Sequence, residues 1–136
     1  MDDEGFRNLC RETGIALQVD DAEGFAQHTA IRIDDVDVAL HFSEELTRDR
    51  IFCYLDIGRF DKQCVDAAMR NLLALNLSTG DATPGSYAYD PLHNNALLVV
   101  HVDDPHRLDG QSLAEALYAY VAQAKAAREA VFSFLC

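Results

Sequence analysis

Residues 29–43, TAIRIDDVDVALHFS, alternate apolar and polar side chains in two short runs. Side chains of an extended strand point to opposite faces in turn, so this pattern predicts two strands that each bury one face. Asp34 and Asp35 lie between the runs and predict the polar turn of a hairpin. The predicted buried positions are Ile31 and Ile33 on the first strand and Val36, Val38, Leu40 and Phe42 on the second. The chain therefore contains an antiparallel hairpin.

Three further segments have the pattern of strands. Residues 50–60, RIFCYLDIGRF, alternate again, and aromatic residues occupy part of the second face. Residues 86–90 and 96–104 are expected to form a second hairpin around the loop 90–95. The run 97–102 is apolar on both faces, which places it in the middle of the sheet.

Three segments predict helices: residues 2–13, from about residue 61 to residue 77, and from residue 112 to about residue 134. We expect Gly14 to be the C-cap of the first helix and Ser112 the N-cap of the last. The element order is then helix, three strands, helix, two strands, helix. This order indicates a single α+β domain, α-β-β-β-α-β-β-α, over residues 1–136, with helices packed on a twisted antiparallel sheet.

Acidic residues dominate the charge of the chain. The net charge is −12, and residues 1–45 hold twelve Asp and Glu against three Arg, a net of −9. Such a field repels phosphate backbones and anionic lipid, so nucleic acid and membrane surfaces are unfavourable partners. The N-terminus is acidic where a secretory signal would be basic and then apolar. We therefore expect a cytoplasmic protein.

The sequence contains no motif typical of nucleotide or cofactor chemistry. The only close glycine pair, Gly80 and Gly85, has no Lys-Ser/Thr after it, and there is no GxSxG elbow. The four cysteines form no CxxC pair, and we interpret them as small core residues or bystanders. We predict no cofactor, no metal and no catalytic residue.

Residues 70–80, RNLLALNLSTG, carry more leucine than one buried helix stripe requires. Leu72 and Asn76 share a stripe with the apolar residues one and two turns earlier, whereas Leu73 and Leu77 lie off it. An exposed apolar patch usually marks a partner surface, and a two-fold homodimer would cover it with a second copy of the same helix. A helix buried on two sides in a monomer is the alternative. We expect Asn76 to form hydrogen bonds that close the helix.

The predicted dimer interface comprises Met69, Leu72, Leu73, Leu75 and Leu77, with Tyr87 and Tyr89 at its edge.

The stretch LLALN at residues 72–76 is followed by Ala88-Tyr89-Asp90-Pro91 and by the apolar run from Leu97 to Val100. This pattern, in a small acidic chain with this element order, resembles the Tir-chaperone (CesT-like) family, the class I chaperones of bacterial type III secretion. The similarity in element order covers nearly the whole chain. The sequence is thus expected to adopt the homodimeric fold of that family.

The resemblance implies a homodimer that uses no nucleotide and holds the N-terminal segment of a secreted effector in extended form, competent for export. It allows the secretion ATPase as a further partner. The implied client pockets lie between the first helix and the sheet and would use Phe6, Leu9, Ile31, Ile33, Val38, Phe52 and Tyr54. From the acidic first third of the chain we expect the client segment to be basic or neutral, with association that slows at high salt.

Two other classes of function remain open at this point. One is a chaperone-like adaptor of the same fold outside secretion. The other is a small metal-binding enzyme, in which His41 and His101 would meet near Asp103.

Overall fold

The computed structural model describes residues 1–46, 49–79 and 85–132. The α-helices are α1 (Asp3–Ala16), α2 (Val65–Thr79) and α3 (Gly110–Phe132). The strands are β1 (Ile31–Ile33), β2 (Val36–His41), β3 (Arg50–Arg59), β4 (Ser86–Asp90) and β5 (Asn95–Asp103). All strand pairs are antiparallel, in the order β1-β2-β3-β5-β4. The predicted α+β class and element order are therefore confirmed.

The first hairpin turns where the acidic pair predicted it. Asp34 and Asp35 have φ of 49° and 68°, both in the left-handed region, and Ile33 pairs with Val36 across the two-residue turn. Two left-handed residues give a turn whose twist matches that of the flanking strands. Short polar side chains tolerate this conformation better than most others.

The two faces of the sheet have different environments. On one, called the covered face, Val38, Leu55, Leu98 and Tyr87 lie in register across four strands and are buried beneath the helices. On the other, called the open face, the alternating residues of β2, β3 and β5 are half-buried or exposed. Because successive side chains of a strand point to opposite faces, the alternating sequence gives the sheet one apolar face in the core and one face accessible to solvent.

The core lies between the covered face and two helices. Helix α1 contributes Phe6, Leu9 and Cys10, and α3 contributes a stripe that includes Leu113 and Leu117. Helix α2 lies to one side, against α3 and the edge strand β4.

Four predicted helix boundaries were wrong. Gly14 is not a C-cap, because α1 continues to Ala16 and buries Gly14 against Ala22, where a Cβ atom would lie 2.8 Å from the Ala22 Cα. Ser112 is not the N-cap of α3, because its backbone N–H donates to the Asp109 carboxylate at 2.8 Å.

Helix α2 begins at Val65 rather than near residue 61, since residues 61–64 form a turn in which the Cys64 N–H donates to the Asp61 carbonyl. It continues to Thr79, two residues beyond the expected end. The expected end of the last helix, near residue 134, lies outside the described residues.

Candidate functional site

Helix α2 presents two leucines to solvent. Leu72 is buried against the core, whereas Leu73 is 67% exposed and Leu77 is 87% exposed. Met69 and Leu75 are half-buried at the borders of this surface. Leu73 and Leu77 are four residues apart and therefore lie one turn above the other. We call this pair the leucine face of α2.

The stretch 70–80 also contains the residue that fixes α2 to the sheet. The Asn76 side chain donates from Nδ2 to the Tyr87 carbonyl at 3.0 Å, and its Oδ1 accepts from the Tyr87 N–H at 2.7 Å. The amide thus pairs with β4 as a neighbouring strand would. Asn76 was expected to close the helix; it joins the helix to the edge of the sheet instead.

The two tyrosines predicted at the dimer edge lie in different surroundings. Tyr87 is buried, and its hydroxyl accepts a hydrogen bond from Gln123 at 3.2 Å. Tyr89 is 40% exposed, stands edge-on to Phe60 and donates its hydroxyl proton to Asn94 at 3.1 Å. Only Tyr89 has side-chain surface to offer a partner.

The seven predicted client-binding residues do not form one surface. Five of them belong to the core between the helices and the covered face: Phe6, Leu9, Ile31, Ile33 and Val38. Phe52 and Tyr54 lie on the open face, their rings stacked at 6.5 Å. Of the five core residues, Val38 is fully buried, whereas Phe6 borders a cavity.

That cavity, about 430 Å³ in volume, lies between α1 and the short 3-10 helix Phe25–Gln27. Phe6 stacks on His28 and Phe42 at ring distances of 5.7 and 5.2 Å. At the other end, Arg11 and Glu23 are joined by an ion pair of 2.8 Å. The cavity therefore has an aromatic wall at one end and a charged wall at the other.

A second cavity of about 660 Å³ lies on the open face and spans the strands from β2 to β4. Its floor consists of Ala39, Tyr54, Ala88, Leu97 and Val99. We call this the open-face groove. Three carboxylates, of Asp37, Asp56 and Asp90, line it together with His93, and none of the described residues that line it is Lys or Arg. Of the floor residues, only Tyr54 was predicted to bind a client; Ala88, Leu97 and Val99 lie in stretches that carry the family resemblance, but their pattern did not indicate a groove.

The two histidines of the metal hypothesis, His41 and His101, lie on either side of the Phe52 ring and not next to each other. His41 and His101 are cross-strand partners of Phe52 on opposite sides of β3, which separates them by two strand spacings, about 10 Å. Asp103 forms an ion pair with Arg50 at 2.9 Å. Within residues 1–46, 49–79 and 85–132, no group of three or more His, Cys, Asp or Glu side chains could hold a metal ion.

The buried cysteines are poor nucleophiles. Burial raises the pKa of the Cys10 thiol to about 12, and burial with the neighbouring Cys10 raises the pKa of Cys53 to about 12. The thiolate is the reactive form, so both thiols are inert at neutral pH. Cys64 takes part in a disulfide, which the cysteine spacing had not predicted.

The model of the Tir chaperone protein (CesT) family matches residues 6–128, and the chain belongs to this family. The class is therefore that of a chaperone family and not of an enzyme family. No curated protein sequence matches the chain.

Three solved structures share the fold. The ExsC–ExsE complex gives a TM-score of 0.73 at 16% identity and covers 96% of this chain and 97% of the other. The HopA1–SchA chaperone–effector complex gives 0.63 at 14% identity, with 93% and 95% covered. The ExoT–SpcS complex from Pseudomonas aeruginosa gives a TM-score of 0.54 at 20% identity, with 90% and 96% covered.

In the described part of the chain, no helix combines the length and hydropathy that crossing a bilayer requires.

Proposed function

We propose that the chain is a cytoplasmic type III secretion chaperone. In this proposal it forms a homodimer and holds the N-terminal segment of a secreted effector in extended form, without nucleotide, until export. The observation that carries the proposal is the family match over residues 6–128. The HopA1–SchA chaperone–effector complex has the same fold, which supports an effector as the partner.

The leucine face of α2 supports the homodimer. Burying one leucine side chain contributes about 1.5 to 3 kcal/mol, and Leu73 and Leu77 forgo most of this in the isolated chain. A two-fold axis beside α2 brings the face against its own copy, so each protomer buries both leucines. Met69 and Leu75 border this contact and Tyr89 lies at its edge, whereas Leu72 and Tyr87 support it from beneath.

The edges of the sheet differ in their capacity to pair with an extended client. At β4 the Asn76 amide already occupies the outward N–H and C=O of Tyr87. At β1 the pairs of Ile33 and Ile31 with β2 flank that of Arg32, and bonded pairs alternate with unbonded ones outward from a two-residue turn. The Arg32 N–H and C=O therefore point away from β2. The client strand adds to β1.

The cavity beside Phe6, between α1 and the 3-10 helix that precedes β1 in the chain, supplies a pocket for client side chains. Phe6 provides its apolar wall, and Leu9, Ile31, Ile33 and Val38 form the core beneath. Phe52 and Tyr54 offer a separate apolar contact on the open face. An extended segment that gains affinity from backbone pairing needs only such spaced pockets for specificity.

Co-expression with the products of the neighbouring genes, followed by pull-down and limited proteolysis, tests the proposal. The expected result is a co-purified effector whose N-terminal segment resists the protease while bound. A dimer that co-purifies with a folded partner but protects no such segment would instead indicate an adaptor of the same fold. A monomer that retains no partner would refute the proposal.

A further inference from the structure

Two histidines from separate segments lie side by side at the end of β2. Strand β1 begins at Ile31, which pairs with Val38. Strand β2 continues to His41, so its last residues extend past the end of β1. His28, which follows the short 3-10 helix, lies beside these residues, and the centroids of the His28 and His41 rings are 5.3 Å apart, with the ring planes inclined at 50°. The fold therefore brings together two imidazoles from different elements.

The surroundings of His28 fix its backbone and its ring. The backbone has φ of 58°, and its N–H donates to the Phe25 carbonyl at 3.1 Å, which closes the 3-10 helix. The ring stacks on the buried Phe6, at a centroid distance of 5.7 Å and an interplanar angle of 21°. Nδ1 of the ring lies 3.3 Å from the Leu40 carbonyl oxygen. His28 is therefore held in one orientation beside β2.

The contact with Leu40 decides which nitrogen of His28 can bind a ligand. A carbonyl oxygen only accepts, so Nδ1 of the neutral ring donates its proton to Leu40 and Nε2 keeps its lone pair. Histidines that bind metals usually make such a hydrogen bond from their other ring nitrogen, because it fixes the tautomer and the orientation of the ring. The His41 ring is exposed and has no hydrogen-bond partner among the described residues, so it can turn a nitrogen toward the same point.

The spacing of the two rings fits one transition-metal ion. Imidazole nitrogens bind Zn²⁺ at about 2.0 to 2.1 Å, so two rings that share a tetrahedral Zn²⁺ have centroids about 5 Å apart. The 5.3 Å between His28 and His41 agrees with this distance. Imidazole ligands favour Zn, Cu or Ni over Mg and Ca, which prefer oxygen. The described residues place no third His, Cys, Asp or Glu in a ligand group, so water would fill the remaining positions.

The cavity beside His41 attracts cations. It has a volume of about 600 Å³, and its lining includes three carboxylates and no Lys or Arg among the described residues: Asp3, Glu44 and Glu45. The cavity beside His28 has balanced charges, with two carboxylates and two guanidinium groups: Asp3, Glu23, Arg7 and Arg11. A dication is therefore favoured on the His41 side of the pair.

The described cysteines are poor competitors for a metal ion. The thiolate is the form that binds metals, and burial raises the pKa of Cys10 and Cys53 to about 12. Cys64 takes part in a disulfide. Neutral imidazoles are therefore the available ligands near neutral pH.

We propose that His28 and His41 bind one divalent transition-metal ion, Zn²⁺ or Cu²⁺, through Nε2 of His28 and one ring nitrogen of His41. This site is independent of the proposed chaperone function. Its two ligands come from the segment before β1 and from β2, so the ion ties the 3-10 helix to the sheet. Because the His28 ring stacks on Phe6, the ion also stiffens the wall of the cavity beside Phe6.

Titration of the full, metal-free chain with ZnCl₂ tests the proposal. Isothermal titration calorimetry is expected to give one Zn²⁺ per chain. Long-range proton–nitrogen spectra of the imidazoles report which ring nitrogens bind, and only His28 Nε2 and one nitrogen of His41 should shift strongly. Shifts centred on other histidines, or no saturable binding up to about 1 mM Zn²⁺, where the binding free energy is only about 4 kcal/mol, would overturn the proposal.

Three variants separate the pair from the other histidines. His28→Asn keeps a residue type that tolerates the left-handed backbone and removes the imidazole. His28→Asn and His41→Ala should each weaken Zn²⁺ binding at least about tenfold, the lower end of what even an outer-shell partner contributes. His101→Ala is the matched control, since His101 is also an exposed strand histidine, on β5. With unchanged melting curves in the absence of metal, equal losses from all three variants would show that the pair is not the site.

Hydrogen exchange tests the link between the two elements. The N–H groups of Gln27, His28 and Thr29 donate within the segment that the ion would tie down. Zn²⁺ should slow their exchange several-fold in wild type and leave it unchanged in His41→Ala. Binding without slower exchange would contradict the tie between the 3-10 helix and β2. These measurements use no client, so failure of the metal site would leave the chaperone function standing.

Discussion

The side-chain amide of Asn76 pairs with both backbone groups of Tyr87, at 2.7 and 3.0 Å, and so occupies the outward backbone groups of β4 at that residue. Unpaired edge strands invite pairing with other chains. Asn76 removes that opportunity at Tyr87 in β4, whereas the outward N–H and C=O of Arg32 in β1 have no hydrogen-bond partner within the described part of the chain. The same helix turns its leucine face outward one residue further along. In our proposal, α2 therefore protects one edge of the sheet and supplies the dimer interface.

Replacing Asn76 tests the first of these roles. Asn76→Ala leaves the Tyr87 N–H and C=O without their partner, and a part-buried backbone group without a partner costs about 1 to 3 kcal/mol. We expect urea denaturation to show a loss of unfolding free energy in this range. Asn71→Ala is the matched control, because it removes a single 3.4 Å bond to the Val131 carbonyl from the same helix. Equal losses in the two variants would show that the Tyr87 pairing contributes nothing special.

Introducing a charged side chain on the leucine face of α2 tests whether this face forms the dimer interface. Leu73→Asp removes one leucine from each copy, which corresponds to about 3 to 6 kcal/mol of apolar burial and to at least about a hundredfold weaker association. Sedimentation equilibrium is expected to give a dimer for wild type and a monomer for Leu73→Asp, with the helical circular dichroism unchanged. Leu92→Asp is the control, since Leu92 is more exposed than Leu73, at 88% against 67%, but lies in the turn between β4 and β5. Intact dimers from both Leu73→Asp and Leu77→Asp would place the interface elsewhere.

Salt should slow client binding. The first 45 residues carry a net charge of −9, and a basic client is steered toward such a field. We expect the stopped-flow association rate to fall between about 50 and 500 mM NaCl, where the screening length falls several-fold. The dissociation rate should change less. An association rate that does not depend on salt would contradict electrostatic steering.

Because Cys10 and Cys53 are buried as neutral thiols, we expect the protein to lose stability at alkaline pH. Burial raises the pKa of Cys10 and of Cys53 to about 12, above the value of about 8.5 for an exposed thiol. Above pH 9 the unfolded chain therefore binds fewer protons than the folded one, and the unfolding free energy falls by about 1.4 kcal/mol per pH unit for each thiol. The stability that each buried thiol contributes is fully present below the pKa of the unfolded chain's thiol. It is lost progressively as the pH rises toward 12, the pKa of the folded state.

Cys10→Ala provides the control for this slope, because tyrosines and lysines also titrate in alkali. The variant should lose about one thiol's share of the pH dependence between about pH 9 and pH 10.5. Identical slopes for wild type and variant would mean that Cys10 ionises equally in the folded state.

Periodicity predicted the fold because the sheet separates one apolar face from one polar face. The alternation through Val38 and Leu40, and the acidic pair at Asp34, depend only on strand geometry and local turn chemistry. The ends of the helices depend on tertiary contacts, so local signals misplaced them. Gly14 continues α1 because Ala22 packs against it, and Asp109 caps α3 in place of Ser112.

The candidate sites were less predictable for a related reason. The leucine count indicated that α2 has an uncovered side, and Leu73 and Leu77 are indeed exposed. Client pockets and protein cores both require apolar residues. Residue type alone therefore could not show that Val38, predicted to bind a client, is buried in the core. The open-face groove depends on which strands become neighbours, which β5 decides by pairing between β3 and β4.

Native mass spectrometry of the complex purified with its client tests the central claim most directly. The account predicts two copies of the chain bound to one client chain, and a Leu73→Asp variant that loses both the second copy and the client. A single copy that binds the effector segment with undiminished affinity would contradict the homodimeric chaperone. A chain that carries no client when co-expressed with the neighbouring genes would contradict the chaperone function itself.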